Sequence, residues 1–330
     1  SDRGTPYGYR HMHGFSSHTY KWYNAAGEYF WVKYHFLTDQ GIKNFTGPEA
    51  EAMRGQDPDF AGRDLFEHIA KGEHPGWTVH IQVMTPEQGE KYKFDIFDIT
   101  KVWFHGDYPL IPVGRLVLDR NPQDYFGEVE QSAFNPSNFV PGITASPDKM
   151  LQGRLFSYHD THLHRLGTNY HHLPVNAPKH APEHSYQRDG PMNSKVHSAP
   201  DPNYWPNSMG GPAPRGTPDE PPISLTGEGK GQAYTHPNDD FLQPGEMWRR
   251  AFSAQDRANF VNNVVGHIGG AIKRVQYRQI ALFYKADPEM GARMAEGLNL
   301  NLDMVKKLAS MEAEERAEAT SEGRFRANQL

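Results

Sequence analysis

The chain has 330 residues, contains no cysteine and carries a formal net charge of −6 at pH 7. The absence of thiols excludes disulfides, thiolate metal ligands and cysteine nucleophiles, and a negative chain without a basic stripe argues against nucleic-acid binding. No run of about 18 apolar residues is present, so we expect no membrane span. No secretory signal is recognisable, and we therefore expect a cytoplasmic protein.

Residues 1–120 are predicted to be strands with a helical insertion. Segments rich in β-branched and aromatic residues indicate three strands: EYFWVKYHFLT (28–38), WTVHIQVMT (77–85) and IPVGRLVLDRN (111–121). Alternation in the second strand sets Val79, Ile81 and Val83 on one face. The insertion between the first two strands is predicted to form two short helices, broken at GQDPD (55–59).

Residues 121–240 are rich in Pro, Asn, Gly and His, which is typical of a disordered linker. Their aromatic residues, Tyr186, Tyr204 and Trp205, favour instead an extended arm that wraps a partner surface. Inside this region the sequence predicts one helix, 147–166. Ser146 is its expected N-cap, Pro147 its first residue and Gly167 its stop signal.

Residues 241–330 are predicted to be helical. Ser253 and Asp256 have the spacing of a capping pattern, and an apolar face follows them: Phe260, Val261, Val264, Val265 and Ile268. We expect the charged tail from 311 to 330 to be frayed.

The 147–166 helix carries the residues that point to chemistry. Met150, Arg154, Tyr158 and His162 are spaced by four and form one stripe. Arginine and histidine are costly to bury without partners, so the stripe suits a flat, conjugated, anionic ligand better than a core seam. A tyrosine hydroxyl ionises only near pH 10 in water, but an iron(III) ion and a nearby arginine would hold it as a phenolate.

Two other interpretations remain open at this point. The stripe could be the polar side of an ordinary amphipathic surface helix. A zinc site is also conceivable, although the spacing matches no standard zinc motif; the candidate ligands are Asp160, His162, His164, His171 and His172.

The segment RLFSYHDTHLHRLG (154–167) resembles the proximal haem-ligand signature of haem catalases. Further segments resemble the same family in the same order, from residue 1 to about residue 285. They are SDRGTP, HMHGFSSHTYKWYN, TDQGIKN, DITKVWFHGDYPLIPVGRLVLDRNP, EVEQSAFNPSNFVPGI, SPDKMLQGRLF and SYQRDGPM.

The resemblance implies an α+β fold in three regions. Residues 1–120 would be the C-terminal half of an antiparallel β-barrel with its helical insertion. Residues 121–240 would be a wrapping arm that includes the proximal haem-ligand helix, and residues 241–330 an α-helical C-terminal domain with a charged tail.

The resemblance also implies roles for individual residues. Tyr158 would be the axial ligand of the haem iron, and Arg154 would contact its phenolate oxygen. His18 and Asp148 would extend a hydrogen-bonded relay from Arg154. The remaining haem contacts would be Met150 and Phe134 lining the pocket, His162 packing beside the haem, and Arg165 pairing with a propionate.

Some catalases also bind NADPH. The matching positions are Ser1, Arg3, His13, Val102, Trp103 and His105. His13 departs from an Asn in the dinucleotide-binding members, and Leu37 stands where those members have a Lys.

The implied activity is conversion of hydrogen peroxide to water and oxygen by a homotetramer. The family's distal His and Asn precede SDRGTP, so we expect the chain to be a fragment that supplies the proximal half of the site beside an N-terminal segment of the same protein. The alternative is a haem-binding fragment or a peroxidase-like relative without catalase turnover.

Overall fold

The computed structural model describes residues 1–180, 189–193, 202, 204–210, 219–223 and 240–325. The described residues form two compact units. The helical unit contains residues 1–12, 41–65 and 240–325, and the sheet unit contains residues 13–40 and the described residues from 66 to 223. These boundaries differ from the three predicted regions, because residues 1–12 and 41–65 group with the C-terminal helices.

Among the described residues, the sheet unit is built on six antiparallel strands. They are β1 Gly14–Phe15, β2 Tyr20–Tyr23, β3 Tyr29–Thr38, β4 Gly76–Met84, β5 Ile111–Val117 and β6 Ile143–Ala145. The strand order is β5-β4-β3-β2-β6, and β1 pairs separately with β3. The three strands predicted from composition are therefore confirmed as β3, β4 and β5.

Strand β4 is buried on both faces, not only on the face that its alternation marks. Ile81 is buried on that face, and Gln82 and Met84 are buried on the opposite one. Gln82 is tolerated there because its amide nitrogen donates to the backbone oxygens of Trp103 (3.1 Å) and Tyr108 (2.6 Å). A polar residue in a strand is thus a poor guide to the solvent face.

The α-helices preceding residue 170 are α1 Gly47–Gln56, α2 Phe60–Ala70, α3 Pro86–Lys91 and α4 Lys149–Arg165. The predicted pair of helices broken at GQDPD is confirmed as α1 and α2. The predicted start of α4 was wrong by two residues. Its N-cap is Asp148, whose carboxylate accepts from the backbone nitrogens of Met150 (2.9 Å) and Leu151 (3.0 Å). Gly167, at φ +102°, ends the helix as expected.

The helical unit continues with α5 Leu242–Glu246, α6 Ala254–Ile268, α7 Lys273–Ala286, α8 Pro288–Gly297, α9 Leu302–Ser310 and α10 Ala313–Ala319. The capping pattern at Ser253 is confirmed, and the predicted apolar face of α6 packs on the core of this unit. The tail was wrongly predicted to fray: Arg316 is buried and donates to the backbone oxygen of Met311 (2.8 Å), and Thr320 is fully buried. Residues 326–330 lie outside the described part.

Parts of the predicted wrapping arm (121–240) lie outside the described residues, namely 181–188, 194–201, 203, 211–218 and 224–239, and Tyr186 is among them. Tyr204 and Trp205 are described and exposed. The short segment 219–223 is described as well, and its Ile223 packs against a buried cluster of the sheet unit. No helix in the described ranges has the length and apolarity needed to span a membrane.

Candidate functional site

Four side chains of the sheet unit form one continuous hydrogen-bonded relay. Arg154 Nη2 donates to Tyr158 Oη at 2.8 Å, and Arg154 Nη1 donates to His18 Nε2 at 2.7 Å. His18 Nδ1 lies 2.6 Å from Asp148 Oδ2. The structure therefore brings the four predicted residues together, and they contact one another in the predicted order: Tyr158, Arg154, His18 and Asp148.

The donors and acceptors fix where the protons of this relay lie. A guanidinium group can only donate, so His18 Nε2 must accept. The proton of a neutral His18 is then on Nδ1, which donates to the Asp148 carboxylate. His18 is 2% exposed and Asp148 is 1% exposed, so bulk water does not compete for these contacts.

The strand pairing explains how two residues 130 positions apart come to touch. Strand β2 runs antiparallel to β6, and Tyr20 is in register with Ala145. His18 precedes β2 and Asp148 follows β6, so both lie at the same end of this pair. Asp148 is also fixed by its second oxygen, which caps α4, the helix that carries Arg154 and Tyr158.

Two groups next to the relay, the buried Lys33 and the half-buried Tyr20, have shifted pKa values. Burial lowers the pKa of Lys33 to about 8, against opposition from the carboxylates of Asp148 and Asp98. Burial also raises the pKa of Tyr20, and the charge of Asp148 adds to this effect while Arg154 opposes it. Tyr20 therefore stays protonated at neutral pH and does not compete as an anion for Arg154.

Two large apolar side chains are exposed, one on α4 and one in the loop whose backbone contacts α4 through His162. Met150 is 54% exposed on α4, and Phe134 is 85% exposed. Large apolar groups left this open are usual where a ligand or partner covers them. The donor set and these two side chains fit a flat conjugated ligand: a tyrosine oxygen held by a cation and accompanied by apolar side chains.

His162 and Arg165 bind the backbone of residues 130–134 through hydrogen bonds. His162 Nε2 donates to the backbone oxygen of Phe134 at 2.9 Å. Arg165 donates to the backbone oxygens of Glu130 (2.8 Å) and Ser132 (2.7 Å) and to His162 Nδ1. The guanidinium is thus engaged by the protein, and pairing of Arg165 with a propionate remains a prediction.

The zinc interpretation finds no site in the described ranges, where no group of three or more His, Asp or Glu side chains is placed to hold a metal ion. The candidate zinc ligands differ in burial: His162 and His172 are buried, His171 is half-buried, and Asp160 and His164 are exposed. His162 is buried against the 130–134 backbone, whereas His164 is exposed.

The residues predicted to bind NADPH divide between the two units. Ser1 and Arg3 belong to the helical unit, and the remaining four belong to the sheet unit: His13, Val102, Trp103 and His105. Trp103 is 2% exposed, and its indole nitrogen has no hydrogen-bond partner within the described part of the chain. His13 Nδ1 accepts from the backbone nitrogen of Thr38 at 3.0 Å, which gives His13 a structural use.

Sequence reasoning missed Lys33 and Tyr20. A signal for Lys33 was available, because a lysine in the centre of the strongly apolar stretch FWVKYHF is unusual for a surface position. Lys33 Nζ donates to the backbone oxygens of Ser17 (3.2 Å) and Lys101 (3.1 Å), and neither contact has a local sequence pattern.

Comparison with known proteins gives consistent matches. The family described as Catalase matches residues 1–211, and the family described as Catalase-related immune-responsive matches residues 234–298. A catalase of Methanosarcina barkeri is 61% identical over 320 residues, which cover 97% of this chain and 63% of that protein. Catalase-A of Dictyostelium discoideum is 54% identical over 313 residues, which cover 94% of this chain and 63% of that protein.

A solved structure, catalase A from Saccharomyces cerevisiae, matches with a TM-score of 0.83 and 41% sequence identity, covering 90% of this chain and 62% of that chain. The predicted α+β fold, with an antiparallel sheet and a C-terminal helical region, is confirmed by these structural matches. The chain belongs to the catalase family. It spans 63% of the length of the Methanosarcina and Dictyostelium relatives.

Proposed function

We propose that this chain provides the proximal side of the haem site of a catalase, which converts hydrogen peroxide to water and oxygen. The observation that carries the proposal is the contact of 2.8 Å between the Arg154 guanidinium and the Tyr158 oxygen. A permanent cation at this position stabilises a phenolate over a phenol. A hydroxyl held this way is prepared to bind a metal ion as an anion.

The residues of the site fit a haem group. Tyr158 would be the axial ligand, and Met150 and Phe134 would lie against the porphyrin. When bound, ferric haem supplies the redox chemistry on peroxide, and an anionic oxygen ligand favours its ferric state.

The chain's own residues act by holding charge and position. Asp148 accepts from His18 and thereby fixes its tautomer, and His18 accepts from Arg154 and fixes the guanidinium. Arg154 then presents its second nitrogen to the Tyr158 oxygen. His162 and Arg165 keep the backbone at 130–134 in place, and this fixes the point from which the Phe134 side chain extends.

A complete catalase site also needs a group that moves a proton between the two peroxide oxygens. The family resemblance assigns this work to a distal His and Asn, and none of the 330 residues matches them. We propose that a segment of the same protein outside these residues supplies them.

Oxygen release tests the activity. The native protein, purified from its source with its haem, should show a Soret band and release one oxygen molecule for every two peroxide molecules consumed. A Soret band without oxygen release would favour the alternative of a haem-binding or peroxidase-like protein. Zinc without a Soret band would contradict both.

Three finer proposals accompany this function. NADPH would bind at the positions that match the family, among them the exposed His105, and a His105→Ala variant should then lose NADPH affinity in a fluorescence titration. The native protein would be a homotetramer, which light scattering would measure as four times the protomer mass.

Its location would be cytoplasmic, which fractionation of the source cells would test.

A further inference from the structure

A lysine with no solvent exposure lies in strand β2 of the sheet unit. Lys21 is 0% exposed, and its ammonium group has three contacts. It donates to Glu220 Oε1 at 3.2 Å and to the backbone oxygen of Pro221, and it lies 4.8 Å from the centre of the Tyr29 ring. Both of the oxygen contacts come from one short segment, Asp219–Ile223.

We propose that the paired strands β2 and β6 form a docking site for residues 219–223 of the same chain, with the buried ammonium of Lys21 as the anchor. We call residues 219–223 the docking segment. The proposal concerns the binding of this segment and does not depend on the proposed function.

The cost of burying a charge makes the segment necessary for Lys21. An ammonium group removed from water without oxygen partners is strongly unfavourable, and the Tyr29 ring alone offsets only part of that cost. If the docking segment leaves, Lys21 loses both oxygen acceptors and must be hydrated. Docking of the segment and burial of Lys21 are therefore one thermodynamic event.

Glu220 joins the two strands that it covers. One carboxylate oxygen contacts Lys21 on β2, and the other accepts from Thr144 Oγ1 on β6 at 3.3 Å. Lys21 and Thr144 are directly opposite each other in the strand register. A single carboxylate thus bridges one cross-strand pair, close to the end of the strands that carries His18 and Asp148.

The other residues of the docking segment favour a backbone that already has its bound conformation before it docks. Pro221 and Pro222 favour an extended polyproline II backbone, which loses little entropy on binding and leaves its carbonyl oxygens free to accept. Ile223 supplies an apolar contact against the buried cluster of Trp31, Met84, Ile96 and Trp103. Charge, a backbone carbonyl and an apolar anchor are thus combined within five residues.

The absence of cysteine allows a direct test with one reporter thiol. Ile223 is partly exposed in the docked segment, so in the full chain with Ile223→Cys it is an increase in the rate of thiol labelling by iodoacetamide over this single variant that measures undocking. Adding Glu220→Gln should raise this rate about tenfold or more, because it leaves the Lys21 charge without its counter-ion. The matched control is Asp219→Asn, which removes the neighbouring carboxylate, exposed like that of Glu220, and should leave the rate within about twofold. Equal acceleration by both variants would overturn the proposal.

A double-mutant cycle keeps the test valid if Glu220→Gln is unstable. Lys21→Met removes the buried charge, so adding Glu220→Gln to it should cause no further acceleration of labelling. Additive effects of the two substitutions would show that Lys21 and Glu220 do not interact and would contradict the proposal. Labelling that accelerates on dilution would mean that the segment docks on a second copy, and this would overturn docking within one chain.

Discussion

At the scale of single residues, the site is defined by which groups can only donate and which can only accept. Arg154 can only donate, and an ionised Asp148 can only accept, so the neutral His18 between them has one possible arrangement of its proton. Tyr158 lies at the end of this ordered relay and receives a fixed cation. The relay thus determines the electrostatic surroundings of the proposed ligand.

The charge of Arg154 should matter more for turnover than for retention of haem. In the native protein, Arg154→Ala should keep part of the haem but lower peroxide turnover by roughly tenfold to a hundredfold, the scale on which a preorganised donor acts. Steady-state oxygen release measures this effect. Arg120→Ala, at an exposed arginine, is the matched control and should leave turnover unchanged. Unchanged kinetics in Arg154→Ala would show that the phenolate needs no help from this cation.

Lys33 gives a prediction for the pH dependence of stability. Its pKa falls from 10.5 in the unfolded chain to about 8 in the folded one, so between these values the unfolded state binds more protons. The contribution of Lys33 to the free energy of unfolding should therefore rise as the pH increases through this window, by about 3 kcal/mol at most. Below about pH 8 it should be constant and unfavourable.

The difference between the native chain and Lys33→Met isolates this contribution, because other titrating groups are common to both. Urea unfolding from pH 7 to pH 10.5 should give a difference that changes with the expected sign. A difference that does not change with pH would mean that Lys33 is not buried as a charged group in the folded state.

At the scale of secondary-structure elements, those with a strong local sequence pattern could be predicted, and the shortest strands could not. Strands β3 and β4 follow from their aromatic and β-branched content, and α6 follows from its cap and apolar face. Strands β2 and β6 have four and three residues, and their pairing brings together parts of the chain far apart in sequence. No local pattern encodes such a pairing, so the contact of His18 with Asp148 could be expected only from the family resemblance.

Helix α4 shows why cap prediction can fail by a few residues. Ser146, Pro147 and Asp148 are all residues that favour a helix start, and the local sequence does not choose among them. The relay does choose, because Asp148 can both cap the helix and accept from His18. The prediction of a frayed tail around α10 failed for a related reason. The charged composition of the tail does not show that Arg316 is buried and donates a hydrogen bond to a backbone oxygen.

The cap of α6 offers a test of local stability. Ser253 accepts from the backbone nitrogen of Asp256 at 3.1 Å, and Asp256 reciprocates toward the backbone nitrogen of Ser253. Ser253→Ala should lower the free energy of unfolding by about 1 kcal/mol. Thermal or urea unfolding measures it, with Asn262→Ala at an exposed position of the same helix as the control. A loss no greater than that of the control would show that the cap adds no stability.

At the scale of the whole molecule, the chain divides into a unit that holds the candidate haem site and a unit that does not. Every residue of the relay lies in the sheet unit, as do Met150 and Phe134. The helical unit has its own core, with Trp248, Ile280, Met294, Val305 and Leu308 fully buried. Ligand binding stabilises the folded state of the part that binds it.

Haem should therefore protect the two units to different extents. Hydrogen exchange of the protein with and without haem should slow in α4 and in residues 13–40. It should change little in α7 and α9 of the helical unit. Equal protection of both units would show that they unfold together, and greater protection of the helical unit would place the haem elsewhere.

The central claim is that Tyr158 is the iron ligand, and one measurement tests it most directly. The absorption and electron paramagnetic resonance spectra of the ferric protein should be recorded for the native protein, for Tyr158→Phe and for Tyr204→Phe, a control at an exposed tyrosine. We expect Tyr158→Phe to lose stable haem while α4 stays folded by circular dichroism, and the control to match the native protein. A normal ferric spectrum in Tyr158→Phe would contradict the assignment of the ligand, and with it the proposed role of the relay.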